Sequence, residues 1–465
     1  MSGLATLRAL STLISSAVQD LEKVYNNASA PFPDLDEPFN PFNASEGVAR
    51  EPGAVAASSV IVAAAGQLTA LLRPPPLSLL SAALSMHLSS CLRAASTFNI
   101  TEILREAGPQ GLHARDIGAK ASTSSDKIAR ILRLLASHHI YKELSPDVFT
   151  NNRLSSVLDK GKPSKECFYS ASEKFQGTSG ISAMIEHITD EAFKSSAYLT
   201  ETLSDPSTAL SDDLTASPFA KAFNTKEPMW AWFEQPENKV VEREFMASVS
   251  GLTMLFTGFK WNDLPKGAIV VDVGGGIGSS SLVIAKANPD LRIVNQDRAP
   301  VIELAKVYWS AELPGHLEAG KAEHQVHDFF AAQPIKNAHV FLLRSILHDH
   351  SDKACVQILH QLREAATSET KLVIVDQVVP YASPVDPSKT VPGDTRPAAP
   401  PPLLPNMGVA AAPVFWADLH MYTLLNGKER TINNFIEVFS QAGWKLTQVH
   451  HIPGSFTSQV IATPA

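Results

Sequence analysis

Apolar positions along the chain follow two regimes. Up to about residue 265 they recur every three to four residues, the spacing of helices with one buried face. Beyond residue 268 they gather into short continuous runs separated by stretches of helical period. The first regime predicts a mainly helical N-terminal half, the second an α/β domain in the C-terminal half.

Within the first regime, "MSGLATLRALSTLISSAVQDLEKVY" reads as an amphipathic helix and lacks the unbroken apolar core and cleavage site of a signal peptide. "GAVAASSVIVAAAGQLTALL" (53–72) is long enough to span a bilayer, but its Ala/Ser content and Gln67 favour a buried or dimer-interface helix. Residues 27–53, rich in Pro, Asn and acidic residues, predict an irregular connector. Three short helices follow, in "TFNITEILREAG", "HARDIGAKAST" and "SSDKIARILRLLASHHI", the third with a stripe of Ile128, Ile131, Leu132 and Leu135. A hairpin about Ser145-Pro146-Asp147 completes a winged-helix pattern. Its third helix carries only Lys127, Arg130 and Arg133 as cations, so a structural or dimerisation module is expected over a DNA reader.

In the second regime "AIVVDVG", "LRIVNQD", "HVFLLRSI" and "KLVIVDQVV" have the length of buried parallel strands and alternate with helical segments. That is a Rossmann-like, doubly wound α/β domain. A Pro-rich insert at 380–413 interrupts it and is expected to be a surface loop. Helices around 416–425 and 432–442 and two strands, "KLTQVHHI" and "SQVIATP", close the chain. The expected divisions are an N-terminal helical extension and linker (1–75), a winged-helix domain (76–164), a helical connector (165–265) and the α/β domain (266–465).

Composition narrows the function. The 465 residues are 44% hydrophobic and 18% charged, with a formal net charge of −8, which argues against a general nucleic-acid binder. Cys91, Cys167 and Cys355 form neither a metal spacing nor a disulfide framework, which fits a reducing, cytoplasmic compartment. No nucleic-acid or membrane partner is expected.

The chemistry centres on "VVDVGGGIGSSS" (270–281). Gly274, Gly276 and Gly278 follow a strand and open a helix, but Ser279 stands where a dinucleotide fingerprint would have its third glycine. Asp272, two residues before the first glycine, is awkward beside a pyrophosphate and suits a cationic cofactor without phosphate, such as S-adenosylmethionine. Asp297 closes the next strand, placed to accept from ribose hydroxyls. The neighbouring Arg298 keeps an NADP-dependent oxidoreductase as the alternative enzyme. A winged-helix regulator with a degenerate cofactor domain is the alternative from a different class.

With "VDVGGGIG", "HDFF", "LLRSILHDHSD", "KLVIVDQVVP" and "LNGKERT" in this order, the chain resembles the S-adenosylmethionine-dependent O-methyltransferases. The likeness is to the plant and fungal small-molecule class with an N-terminal winged-helix dimerisation domain, and "HITDEAFKSSAYLTETL" and "MWAWFEQPE" point to fungal members. The resemblance implies that Asp272, Gly274, Gly276, Gly278 and Asp297 bind the cofactor, with Asp328, Phe329 and Arg344 on its adenine side. It implies His348 as general base paired with Asp349, flanked by the carboxylates Asp376 and Glu429. Met421, Phe245 and Val249 fall at substrate-pocket positions, and the 165–265 region contributes to that pocket. Arg344-Ser345 stands where the family often has Lys-Trp, and one residue is missing before Gly427. The expected protein is a homodimer methylating a hydroxyl of a small phenolic or enolic compound in fungal secondary metabolism.

A metal site at His348-Asp349-His350-Ser351-Asp352 is the competing chemistry. Adjacent residues on a turn do not share a face, however, and no second ligand set stands out. Ser351 reads more simply as a helix N-cap. No metal is expected.

Overall fold

The computed structural model describes residues 2–170, 173–239, 241, 258–384, 391–394, 396, 398–452, 455 and 457–465. The chain divides into two compact units, one of Met1–Pro206 with Pro218–Thr253, the other of Ser207–Ser217 with Met254–Ala465. The stretch 165–265, read as one connector, is therefore shared between them. Phe245 and Val249 lie outside the described residues.

The first unit begins with α1 (Gly3–Asn27), whose first turn is capped by the Ser2 hydroxyl. It packs against α2 (Pro52–Leu72) through Ala17, Leu21, Tyr25, Ala54 and Ala57. α2 has the length and apolarity to cross a membrane, yet an alanine stripe faces α1 while Val62, Leu71 and Leu72 are exposed. The winged helix follows as α3 (Ile100–Ala107), β1 (Leu112–His113), α4 (Ala114–Lys120), α5 (Ser125–Ser137), β2 (Lys142–Ser145) and β3 (Val148–Thr150). Ile128, Leu132 and Leu135 are buried as the stripe requires, and Asp147 turns the hairpin with φ 62°. The connector is more ordered than expected. It contains a short helix, Ala44–Val48, capped by Asn43. It also docks on the wing: Arg153 N–H donates to Leu35 O at 2.9 Å, and Lys142 pairs with Asp36. Arg133, one of the three cations on α5, pairs with Asp147 at 3.0 Å.

The second unit is built on β4 (Ile269–Val273), α6 (Ser279–Ala287), β5 (Arg292–Asp297), α7 (Ala299–Glu312), β6 (Ala322–Val326), β7 (Val340–Arg344), α8 (Asp352–Ala365), β8 (Lys371–Asp376), α9 (Ala412–Leu425), α10 (Ile432–Gln441), β9 (Trp444–His451) and β10 (Ser458–Pro464). The sheet order is β6-β5-β4-β7-β8-β10-β9, parallel through β8, with β10 antiparallel to both neighbours. One face packs Ile358, Leu359, Phe435 and Phe439 from α8 and α10; the other packs Leu282, Ile284 and Trp309 from α6 and α7. Burial on both faces explains the unbroken apolar runs of β4, β7 and β8.

β5 and β7 lie on opposite sides of β4, so the order reverses there and opens a crevice beyond the carboxyl ends of the strands. The Pro-rich insert leaves from β8 and is pinned to the sheet edge. Val449 N–H on β9 donates to Pro392 O at 2.9 Å, and His451 Nε2 lies 2.9 Å from Asp394. These contacts occupy part of an edge strand that would otherwise present unpaired amides.

Candidate active site

Five strand ends line the crevice in spatial order, each carrying a residue singled out by sequence. Asp328 follows β6, Asp297 ends β5, the glycines follow β4, Arg344 ends β7 and Asp376 ends β8. Arg344 thus lies across β4 from Asp297 and Asp328. The Arg344 guanidinium donates to Ser280 Oγ at 3.0 Å.

The glycine turn is shaped for close approach. Gly274, Gly276 and Gly278 all have positive φ (66°, 61° and 77°), and a Cβ at Gly276 would meet nothing within 4 Å. Gly276 N–H donates to Asp297 Oδ2 at 2.8 Å, and Arg298 N–H donates to Oδ1 at 2.7 Å. Asp297 is thereby fixed with acceptor capacity left on both oxygens. The Phe329 ring stands beside Gly274 and meets His350 edge-on at 5.6 Å. Asp328 is exposed and accepts from Phe330 N–H at 3.0 Å.

Asp272 is fully buried, and neither of its oxygens makes a hydrogen bond of good geometry. Ser281 lies near it but donates to Gly278 O. Burial pushes the Asp272 carboxyl up to about 6, with Ser281 and Arg344 opposing the shift. Two unmet buried oxygens beside an open glycine turn, with a ribose-type acid 2.8 Å from that turn, fit a cationic nucleoside cofactor.

His348 sits on the single turn Leu347–Asp349 just past β7, with its side chain 17% exposed. Its Nδ1 lies 2.8 Å from Glu429 Oε1, a carboxylate 1% exposed, while Asp349 Oδ1 is 3.4 Å from Nε2. Glu429, not the adjacent Asp349, is therefore the hydrogen-bond partner that orients the ring. Asp376 accepts from Ser345 N–H at 2.9 Å and acts on His348 through charge. Burial lowers the His348 pKa, but Asp349, Glu429 and Asp376 together outweigh it and push it up to about 10. Asp349 and Asp376 are in turn raised, first by burial.

Segment 427–430 is built around this pair. A Cβ at Gly427 would lie 2.1 Å from His348 O, so only glycine admits the approach, and Lys428 N–H donates to that oxygen at 2.9 Å. Asp418 on α9, a residue not singled out by sequence, accepts from Glu429 N–H at 2.9 Å. Met421, half-buried on the same helix, passes its carbonyl to Gly427 N–H. The neighbours of His348 point elsewhere. His350 packs against Phe329 and Phe330, Ser351 caps α8, and Asp352 pairs with Lys428 and Arg430.

Comparison with known proteins identifies the family. Residues 198–445 match the model of an O-methyltransferase domain, and residues 80–161 that of an O-methyltransferase dimerisation domain. The chain is similar to 4-O-methyltransferase 1 of Phanerochaete chrysosporium, at 42% identity over 99% of both chains. It is also similar to an O-methyltransferase of Armillaria gallica, at 39% identity over 99% of both. Among solved structures, CalO1, a methyltransferase in calicheamicin biosynthesis in its SAH-bound form, superposes with a TM-score of 0.60. That match has 24% identity and covers 84% of this chain and 98% of the other. The chain belongs to the S-adenosylmethionine-dependent O-methyltransferases, with both the catalytic and the dimerisation domain of that family.

Proposed function

We propose that the protein methylates a phenolic or enolic hydroxyl of a small molecule, with His348 as general base, in fungal secondary metabolism. The observation that carries this reading is the 2.8 Å contact between His348 Nδ1 and the buried Glu429. It holds the proton on Nδ1 and leaves Nε2 to take one from the acceptor. When bound, S-adenosylmethionine supplies an electrophilic methyl group on a positively charged sulfur. Asp272 would offer its two unmet oxygens to the cationic part of that cofactor, Asp297 its remaining lone pairs to ribose hydroxyls, and Phe329 its ring beside Gly274.

The carboxylates set the driving force for the proton. A phenol has a pKa near 10 and a free imidazole one near 6.5, a gap worth roughly 5 kcal/mol. Raising His348 to about 10 closes that gap, so once its resting proton has left, Nε2 takes the proton from the attacking oxygen at little cost. The same shift keeps the resting imidazole protonated at neutral pH. The productive complex shares a single proton between Nε2 and the acceptor oxygen, so a neutral phenol binds with release of one proton.

Met421 on α9 is the acceptor contact proposed from the resemblance. The match of residues 80–161 to a dimerisation domain supports a homodimer, and the cytoplasm is the proposed compartment. The relatives' printed names, 4-O-methyltransferase 1 and sterigmatocystin 8-O-methyltransferase, support transfer to oxygen on small molecules. The test is a panel of phenols, enols, carboxylic acids and amines offered with S-adenosylmethionine. Methylation on phenolic or enolic oxygen, with kcat/KM rising with pH above neutrality, is expected; transfer confined to carboxylates or amines overturns the reading.

A further inference from the structure

Arg430 is the most buried cation around the site, with no exposed side-chain surface, yet its guanidinium touches none of the three carboxylates that face His348. Its donors go instead to the turn that carries the histidine. Nη1 donates to Leu347 O at 2.6 Å and Nη2 to His350 O at 2.8 Å, the carbonyls on either side of His348-Asp349. Nε donates to Asp352 Oδ1 at 3.0 Å, where α8 begins. The Arg430 backbone reaches a third segment, since Val379 N–H donates to Arg430 O at 3.0 Å, three residues after Asp376.

We infer that Arg430 is a positioning residue that locks the His348 turn, the Glu429 segment and the strand end bearing Asp376 into one rigid unit. The inference rests on His348 being the base. Glu429 precedes Arg430 directly, so a guanidinium fixed on Leu347 O and His350 O fixes the Glu429 carboxylate relative to the ring. The planar fork suits this task, because two carbonyls and a carboxylate are met at once by donors in fixed directions. A lysine brings the same charge but cannot span the three acceptors. A misplacement of about 1 Å at a catalytic group is worth on the order of 10²-fold in rate, which sets the value of such a lock.

The test reads the imidazole directly and needs no acceptor. Full-length protein labelled with 15N-histidine and saturated with S-adenosylhomocysteine is titrated by NMR, as wild type and as Arg430→Lys. The charge is conserved, so a change in His348 reports geometry, with Asp349, Asp376 and Glu429 as the groups facing the ring. The expected result is a fall of the His348 midpoint by about one unit or more toward the free value near 6.5. Loss of the slowly exchanging Nδ1 proton signal should accompany it, with cofactor affinity within about twofold of wild type. An unchanged midpoint and Nδ1 signal overturn the inference, even with a lowered melting temperature. If Arg430→Lys does not fold, Asp352→Asn, at a half-exposed helix start, frees the guanidinium from its carboxylate. The lost charge lowers the midpoint by itself, so the Nδ1 proton signal is the readout there: a weakened signal is expected, and an unchanged one overturns the inference. Turnover of His348→Gln is a separate measurement, so failure of the base reading and failure of the lock are distinct results.

Discussion

Asp272→Asn should stabilise the cofactor-free protein and cripple cofactor binding. The carboxyl is fully buried without a hydrogen bond of good geometry, and its pKa rises from 3.8 to about 6. Unfolded, the group loses its proton near 3.9. Between these values the folded state holds the extra proton, so stability falls as pH rises, and above pH 6 the full cost is present. About two units correspond to roughly 3 kcal/mol. A carboxamide never charges, and it finds a partner. Asn295 Oδ1 is a buried acceptor with none, and a Cβ at Gly275 would lie within 2.2 Å of it and 2.6 Å of Asp272 Oδ2. Urea unfolding without cofactor should show the variant more stable by roughly 1–3 kcal/mol at pH 8 and nearly equal at pH 4. Calorimetry with S-adenosylhomocysteine should show affinity lower by tenfold or more, as expected for a lost charge-assisted bond of about 1.5–3 kcal/mol. A variant destabilised equally at both pH values, with unchanged affinity, would refute the assignment of Asp272 as a strained carboxylate kept for a cationic ligand.

Other expectations follow from particular contacts. Gly427→Ala places a methyl 2.1 Å from His348 O and should cost about 1–3 kcal/mol of stability together with most of the turnover; a fully active, equally stable variant shows that the approach is not required. Deleting the first 75 residues removes α1 and α2, and light scattering should then show the full-length dimer become monomer or aggregate; a monodisperse full-length monomer at micromolar concentration contradicts this. Neutral phenol added to the enzyme with S-adenosylhomocysteine should release close to one proton per site near pH 7.5, seen as a dependence of binding heat on the buffer's ionisation enthalpy. No such dependence would mean that no proton leaves on binding, and it would contradict the shared-proton complex.

The strands buried on both faces were legible in the chain, since β4, β5, β7 and β8 are the four runs that repeat the length of a parallel strand. β6 was not, because Ala322–Val326 is a half-exposed edge strand of mixed polarity, defined only by its pairing with β5. The helix Ala44–Val48 is one turn long inside a Pro- and Asn-rich stretch, too short for periodicity to register. The glycines, Asp272, Asp297, His348, Asp376 and Glu429 meet at one sheet edge because four of the segments are strand ends, a placement the order of motifs already encoded. Adjacency misled in one case, since Asp349 follows His348 yet Glu429, 81 residues away, holds Nδ1. Asp418 was missed because its partner at the site is a backbone amide, and Arg430 because the carbonyls of the histidine turn and the Asp352 carboxylate it meets are 78 or more residues distant. The insert was recognisable as a loop, but its attachment through Pro392 O and Asp394 depends on long-range pairing with β9.

The central claim is that His348 takes the acceptor's proton, and turnover of His348→Gln tests it most directly. The side chain keeps its volume and some hydrogen-bonding capacity but cannot act as a base. Cofactor affinity should stay near wild type while turnover at neutral pH falls 10²-fold or more. The deficit should shrink at high pH, or with a phenol of low pKa, because an oxygen that is already ionised needs no base. Near wild-type turnover by His348→Gln at neutral pH would contradict the account and leave positioning of the oxygen as the means of methyl transfer.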